Sequence, residues 1–231
     1  MRVDKPAGSD LLRAIDHALI RPGATYADVR RACLEVRHYG LGGIVLLPVH
    51  CERAAGYLRG LDIRFVAAVG FPNGAFTTDG KVFEARDAIA HGATAIEYVV
   101  DVGALLSGHR DLVAREMAAM REATDGRVLR ATLETSVLPD EAVRFVCASA
   151  AEAGIDFVVS STGFADAEVT AEDVRLLNGA AGPRVGVCAA GGIRTLDAAR
   201  ALVDAGAKVL RTFDSVAIAE ELTDERDGED A

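Results

Sequence analysis

Lysine is almost missing from this chain. Only Lys5, Lys81 and Lys208 occur in its 231 residues, against 25 Lys plus Arg in all. Chemistry that needs a side-chain primary amine, a Schiff base above all, is therefore confined to three positions. Cysteine is scarce too. Cys33, Cys51, Cys147 and Cys188 form no CxxC pair and no metal-ligand spacing. That argues against a cysteine zinc site and a disulfide framework, and implies free thiols in a reducing cytoplasm. The five histidines are scattered, and only His50, beside Cys51, falls in a loop after a candidate strand. The pattern calls for no metal and no cofactor. Basic excess is absent as well. A formal net charge of −10 argues against nucleic acid and anionic membrane surfaces. No run of about 18 apolar residues is free of charge, so no membrane span is expected. Residues 1–10 are polar and lack the apolar core of a signal peptide.

What is present is a regular alternation. Half of the residues are hydrophobic, which suits one soluble domain with a sizeable core. Short apolar runs at 14–18, 43–47, 65–69, 96–100, 130–133, 157–160, 185–189 and 209–212 read as strands. Between them lie helical patterns at 26–39, 81–91, 111–124, 140–153, 171–178 and 196–205. Eight such units predict a parallel sheet covered by helices. Gly40, Gly92, Gly154 and Gly206 stand where helices end before the next strand. Periodicity by itself allows either a doubly wound sheet or a (β/α)8 barrel. Residues 221–231 are acidic and polar and read as a disordered tail, which leaves 1–220 for the folded domain.

Two segments carry a resemblance. Residues 156–164 read Asp-Phe-Val-Val-Ser-Ser-Thr-Gly-Phe, and 185–195 read Val-Gly-Val-Cys-Ala-Ala-Gly-Gly-Ile-Arg-Thr. They resemble the signature strands of deoxyribose-phosphate aldolase, where the first runs Asp-Phe-Val-Lys-Thr-Ser-Thr-Gly-Phe and the second Val-Lys-Val-Lys-Ala-Ser-Gly-Gly-Ile-Arg-Thr. Further likeness lies at 16–22, 69–75, 102–105 and 134–135, so it spans roughly residues 12 to 215. It implies a single-domain α/β (β/α)8 TIM barrel and, by family habit, a homodimer. It also implies that the Schiff-base lysine falls on Val159 and the second active-site lysine on Cys188. Neither residue can form an iminium.

The candidate site lies at the C-terminal ends of the strands. In the fourth strand, period-two alternation places Glu97, Val99 and Asp101 on one face. By resemblance these positions hold an Asp that assists proton transfer and an Asn. Two carboxylates in one cavity would push their pKa values apart and make one an acid or a base. The alternative is a salt bridge to a barrel arginine. Asp16 keeps a family polar position on the first strand and is a third catalytic candidate. His17, turned the other way, reads as structural.

Cys188 reads as a small filler or as a nucleophile. Glu134, Ser160 and Ser161 are candidates for substrate contact, or for loop and turn bonds. Gly191 and Gly192 keep the family's phosphate-binding pair, and Arg21 keeps a loop cation. Arg211 replaces a phosphate-site glycine. It either binds an anion directly or, with Phe213 and Asp214, closes the site to phosphate. Lys81 at a helix start, Lys208 at the far end of the last strand and Lys5 before the fold are all expected outside the cavity.

Three functions remain. The first is a divergent, lyase- or cyclase-type enzyme acting on a small carbonyl metabolite by acid–base catalysis, for which specialised biosynthesis is a suitable setting. The second is a non-catalytic descendant that binds a small molecule or a protein. The third is a deoxyribose-phosphate aldolase that uses another amine.

Overall fold

The computed structural model describes residues 8–165 and 167–229. Eight parallel strands close into a barrel in chain order. They are β1 (Ile15–Leu19), β2 (Gly43–Leu46), β3 (Arg64–Val69), β4 (Ala95–Val99), β5 (Val128–Thr132), β6 (Phe157–Val159), β7 (Gly186–Ala190) and β8 (Val209–Thr212). β8 pairs with β1 through Ile15↔Leu210, Asp16↔Arg211 and His17↔Thr212. That pairing excludes the open doubly wound sheet, and the chain is one (β/α)8 domain. Every expected strand is present, with its ends within two residues of the expected ones.

The helices are α1 (Gly8–Ala14), α2 (Tyr26–Tyr39), α3 (Cys51–Leu58), α4 (Thr78–Ala90), α5 (Val102–Leu106), α6 (Arg110–Ala123), α7 (Asp140–Ala153), α8 (Ala171–Ala181), α9 (Leu196–Asp204) and α10 (Ser215–Glu229). Their limits follow from local chemistry. Thr25 with Asp28, and Thr170 with Asp173, form capping boxes that satisfy the first N–H groups of α2 and α8. Gly40 and Gly154 end α2 and α7 in the left-handed region, at φ 68° and 72°.

Four helices go beyond the sequence expectations: α1, α3, α5 and α10. The last of these differs most from the expected disordered tail, because residues 221–229 continue α10. Leu222 is buried, Glu221 accepts a hydrogen bond from Leu196 N at 2.7 Å, and Arg200 pairs with Glu225 at 2.6 Å. These contacts anchor a segment whose composition alone reads as unstructured. Among the described residues no helix is long and apolar enough to cross a membrane.

Alternation sorts each strand into two faces. Ile15, Ile44, Ile96, Tyr98, Leu129, Val158, Val187 and Leu210 join the large apolar layer beneath the helices. Ala18, Val45, Val66, Ala68 and Ala95 form one small cluster inside the barrel, and Val159, Cys188, Ala190 and Val209 form another. The rest of the interior is charged.

Candidate active site

Each interior charge is an inward residue of a different strand. Asp16 comes from β1, Glu97 from β4, Arg130 from β5 and Arg211 from β8, and all four are essentially inaccessible to solvent. Arg130 Nη1 lies 2.6 Å from Asp16 Oδ2 and 3.6 Å from Glu97 Oε2. Arg211 Nε stands 3.0 Å from Glu97 Oε1, an ion pair in which the N–H is not aimed at the oxygen. Thr132 Oγ1 donates to the same oxygen at 3.3 Å. At the N-terminal end of the barrel, Arg64 donates to Asp16 Oδ1 from Nη2 at 2.8 Å and from Nε at 3.1 Å. The result is a chain of alternating charge: Arg64, Asp16, Arg130, Glu97, Arg211.

Such a chain survives burial because each ion is paired; an isolated buried charge is far more costly. Burial by itself would pull the Arg130 guanidinium down, but Asp16, then Cys188 and Glu97, hold it above its ordinary value. Arg130 therefore stays cationic at any working pH. Several polar atoms remain without a hydrogen-bond partner, among them Arg130 Nε and Nη2, Glu97 Oε2 and Glu134 Oε2.

Sequence reasoning missed Arg130 and Arg64. The signal for Arg130 was available. It lies two residues before Thr132 and four before Glu134, in step with the inward alternation. Arg64 opens β3 and carried no comparable mark.

The other expected residues divide into two groups. Val159 and Cys188 are fully buried neighbours, paired in register between β6 and β7. Burial pushes the Cys188 thiol up to about 12, with the Arg130 cation opposing, so it is no thiolate nucleophile. Ser160 Oγ donates to Ala190 O and accepts from Ala190 N, both at 2.9 Å. Ser161 Oγ accepts from Gly163 N, and Glu134 Oε1 accepts from Thr162 N and Thr162 Oγ1. These groups brace the loop after β6.

Asp101 does not join Glu97. β4 ends at Val99, so the alternation stops there. The Asp101 carboxylate instead caps α5 by accepting from Ala104 N at 2.9 Å. Arg21 is half exposed and paired with Asp28 at 3.2 Å, away from the interior charges. His17 faces outward as expected, with Nδ1 2.6 Å from Ser215 Oγ. Lys81 lies outside the barrel interior but is not at the surface. It is wholly buried between α4, α6 and β4, and donates to Glu116 Oε2 at 2.7 Å and Val99 O at 2.9 Å. Lys208 is exposed just before β8, and Lys5 lies outside the described residues.

The mouth of the barrel is apolar and partly closed. Phe71, Phe164 and Phe213 meet edge to face, with ring centroids 6.4 and 6.1 Å apart along the chain. The Arg211 guanidinium lies 5.5 Å from the Phe71 ring and donates to Thr162 O at 3.0 Å and to Ser161 O. Arg211 thus spends its two Nη groups on the backbone of the loop after β6. Gly191 and Gly192 keep positive φ, at 107° and 72°. The Glu168 side chain lies over Gly192, its carboxyl carbon 2.9 Å from where a Cβ would stand, and Arg194 pairs with it. No group of three or more His, Cys, Asp or Glu residues that could hold a metal occurs among the described residues.

No family model matches the chain. Individual proteins do. The deoxyribose-phosphate aldolase of Streptococcus sanguinis is 41% identical over 208 residues, covering 90% of this chain and 94% of that protein. That of Brevibacillus brevis is 39% identical over 204 residues, covering 88% and 92%. Among solved structures, the deoxyribose-phosphate aldolase of Aeropyrum pernix, described as tetrameric, superposes with a TM-score of 0.88 at 30% identity. The match covers 94% of this chain and 92% of that one.

Proposed function

The chain belongs to the deoxyribose-phosphate aldolase family, and from that premise we propose that it is a divergent lyase-type member that acts on a small carbonyl compound by acid–base catalysis, without a Schiff base. One observation carries the reading: two carboxylates, Asp16 and Glu97, are buried inside the barrel against fixed guanidinium cations, and Glu97 Oε2 has no hydrogen-bond donor. The positions assigned by resemblance to the family's lysines hold Val159 and Cys188. Lys81 is tied to Glu116 and Val99, and Lys208 is outside the barrel. Neither amine is placed to form an iminium with a ligand inside.

The residues then act as follows. Glu97 takes or returns a proton at the substrate carbon. Asp16 holds Arg130 in place, and Arg211 fixes Glu97 from the other side. The phenylalanines at the mouth exclude water, which strengthens each electrostatic contact inside. A phosphate group is disfavoured. Glu168 already covers the Gly192 turn, Arg211 Nη1 and Nη2 are engaged by backbone carbonyls, and Asp214 adds charge in the next loop. The substrate is proposed to be non-phosphorylated and to enter past Phe164 and Phe213, both of which are partly exposed. Buried thiols suit a reducing cytoplasm, and family resemblance suggests a homodimer.

A second reading, a non-catalytic binder, is favoured by a different feature. Glu97 is flanked by two arginines and covered by the aromatic mouth, an arrangement that neutralises charge as well as it serves catalysis.

The test is turnover and trapping. The protein is incubated with 2-deoxyribose 5-phosphate and with non-phosphorylated aldehydes and ketones, with and without borohydride, and its intact mass is recorded. The expected outcome is no reduced adduct, no acetaldehyde from the sugar phosphate, and conversion of a non-phosphorylated carbonyl compound. Glu97→Gln, with its fold checked by circular dichroism, is expected to lower that conversion by at least about 100-fold. A trapped adduct would sink the reading, and so would unchanged turnover in Glu97→Gln. No conversion of any carbonyl compound would favour the binder.

A further inference from the structure

Arg130 is a buried cation that is only partly used. Its Nη1 serves Asp16 at 2.6 Å, faces Glu97 at 3.6 Å and lies 4.0 Å from Cys188 Sγ. Its Nε and Nη2 have no hydrogen-bond partner, although the side chain is wholly buried. Leaving buried donors of a charged group without an acceptor is unfavourable, and native interiors rarely retain them. Glu97 Oε2, 3.6 Å from the same guanidinium, is an acceptor without a donor. Arg211 is more fully committed: Nη1 and Nη2 donate to Thr162 O and Ser161 O, and only Nε, 3.0 Å from Glu97 Oε1 but not aimed at it, is without a hydrogen bond.

Unused donors on one guanidinium beside an unused carboxylate oxygen match one kind of group. That group has an oxygen able to take two hydrogen bonds and, next to it, a carbon that can give up a proton. We propose that Arg130 binds the carbonyl oxygen of the substrate and holds the negative charge that develops there when the adjacent carbon is deprotonated by Glu97. The proposal rests on the acid–base reading above. It assigns to a hydrogen-bonding guanidinium the electron-accepting role that an iminium would fill.

The step balances within the substrate and these two residues. The Glu97 carboxylate takes the α-proton and becomes a carboxylic acid. The C–H electron pair becomes the C=C bond of an enolate, and the carbonyl π pair moves to oxygen. That oxygen accepts from Arg130 Nε–H and Nη2–H, and Arg130 keeps all its protons. Return of the proton from Glu97 regenerates the carbonyl compound. If the enolate carbon instead attacks an aldehyde, a C–C bond forms and the new alkoxide takes the proton from Glu97. Two preorganised donors on a buried guanidinium are an arrangement that stabilises an oxyanion.

Solvent exchange tests this directly. Hydroxyacetone and propanal are incubated in D2O with the protein, and loss of the α-proton signal is followed by NMR. Wild type is expected to speed exchange, with no adduct under borohydride. Arg130→Met, with circular dichroism and thermal unfolding reporting its fold, is expected to slow it at least about 100-fold, the usual effect of losing an oxyanion donor. Unchanged exchange in folded Arg130→Met would overturn the role of Arg130 and leave the acid–base reading standing. No exchange by wild type on either probe would overturn both. If Arg130→Met does not fold, wild type decides by the ¹³C carbonyl resonance of labelled hydroxyacetone. A downfield shift on binding is expected, and an unmoved resonance overturns the proposal.

Discussion

Asp16 and His17 are adjacent on β1 and face opposite ways, and their fates differ accordingly. Asp16 enters the charged interior, whereas His17 is packed under α10 against Ser215. Burial, with a smaller push from Arg31, lowers the His17 pKa from 6.5 to about 4. The unfolded chain therefore binds a proton between pH 6.5 and 4 that the folded protein refuses. Above pH 6.5 both states are neutral and nothing is lost; as pH falls through that window, stability falls. The shift corresponds to about 3 kcal/mol over the whole window. Denaturant unfolding at pH 7 and pH 5 is expected to show the loss in wild type and a flatter profile in His17→Asn. At this scale the sequence was a fair guide where alternation is regular: His17 outward, Cys188 inward. It misplaced Asp101, because a strand end is decided by hydrogen bonding to its neighbours. It did not foresee the burial of Lys81, because an amphipathic pattern cannot reveal that Glu116, on another helix, pairs with the amine.

At the scale of elements, helix ends with their own local signals were readable, as Gly40 and Gly154 demonstrate. α10 was not. Its acidic composition mimics a solvated tail, and it is held by contacts with α9, β1 and α2. Glu221 caps Leu196 N at the start of α9, where a carboxylate also complements the helix dipole. Glu221→Ala is expected to destabilise the protein by about 1 kcal/mol, read as a lowered midpoint in thermal or denaturant unfolding. An unchanged midpoint would mean that Leu222 and the Arg200–Glu225 pair hold α10 without it.

Across the whole molecule, one charge chain joins β3, β1, β5, β4 and β8. Asp16 and Glu97 share the cation of Arg130, so their contributions are coupled. Asp16→Asn and Glu97→Gln are each expected to cost about 3–5 kcal/mol, as for removal of one partner from a buried pair. Their combination is expected to depart from the sum of the single effects. A double-mutant cycle by denaturant unfolding measures the departure, and strict additivity would mean that the two pairs act independently.

The sequence by itself determined the eight-fold alternation and the inward positions of Asp16, Glu97 and Cys188. These are local properties, because side-chain direction repeats every second residue and turns are written in nearby residues. Tertiary structure alone decided which charge meets which. Asp16 and Arg130 are 114 residues apart and touch only because the barrel closes with a given stagger. That stagger is set by β8 pairing with β1 and by the packing of all the helices together. It converts separate inward charges into a single paired chain, seals Arg211 beneath the phenylalanines, and leaves Arg130 with donors to spare.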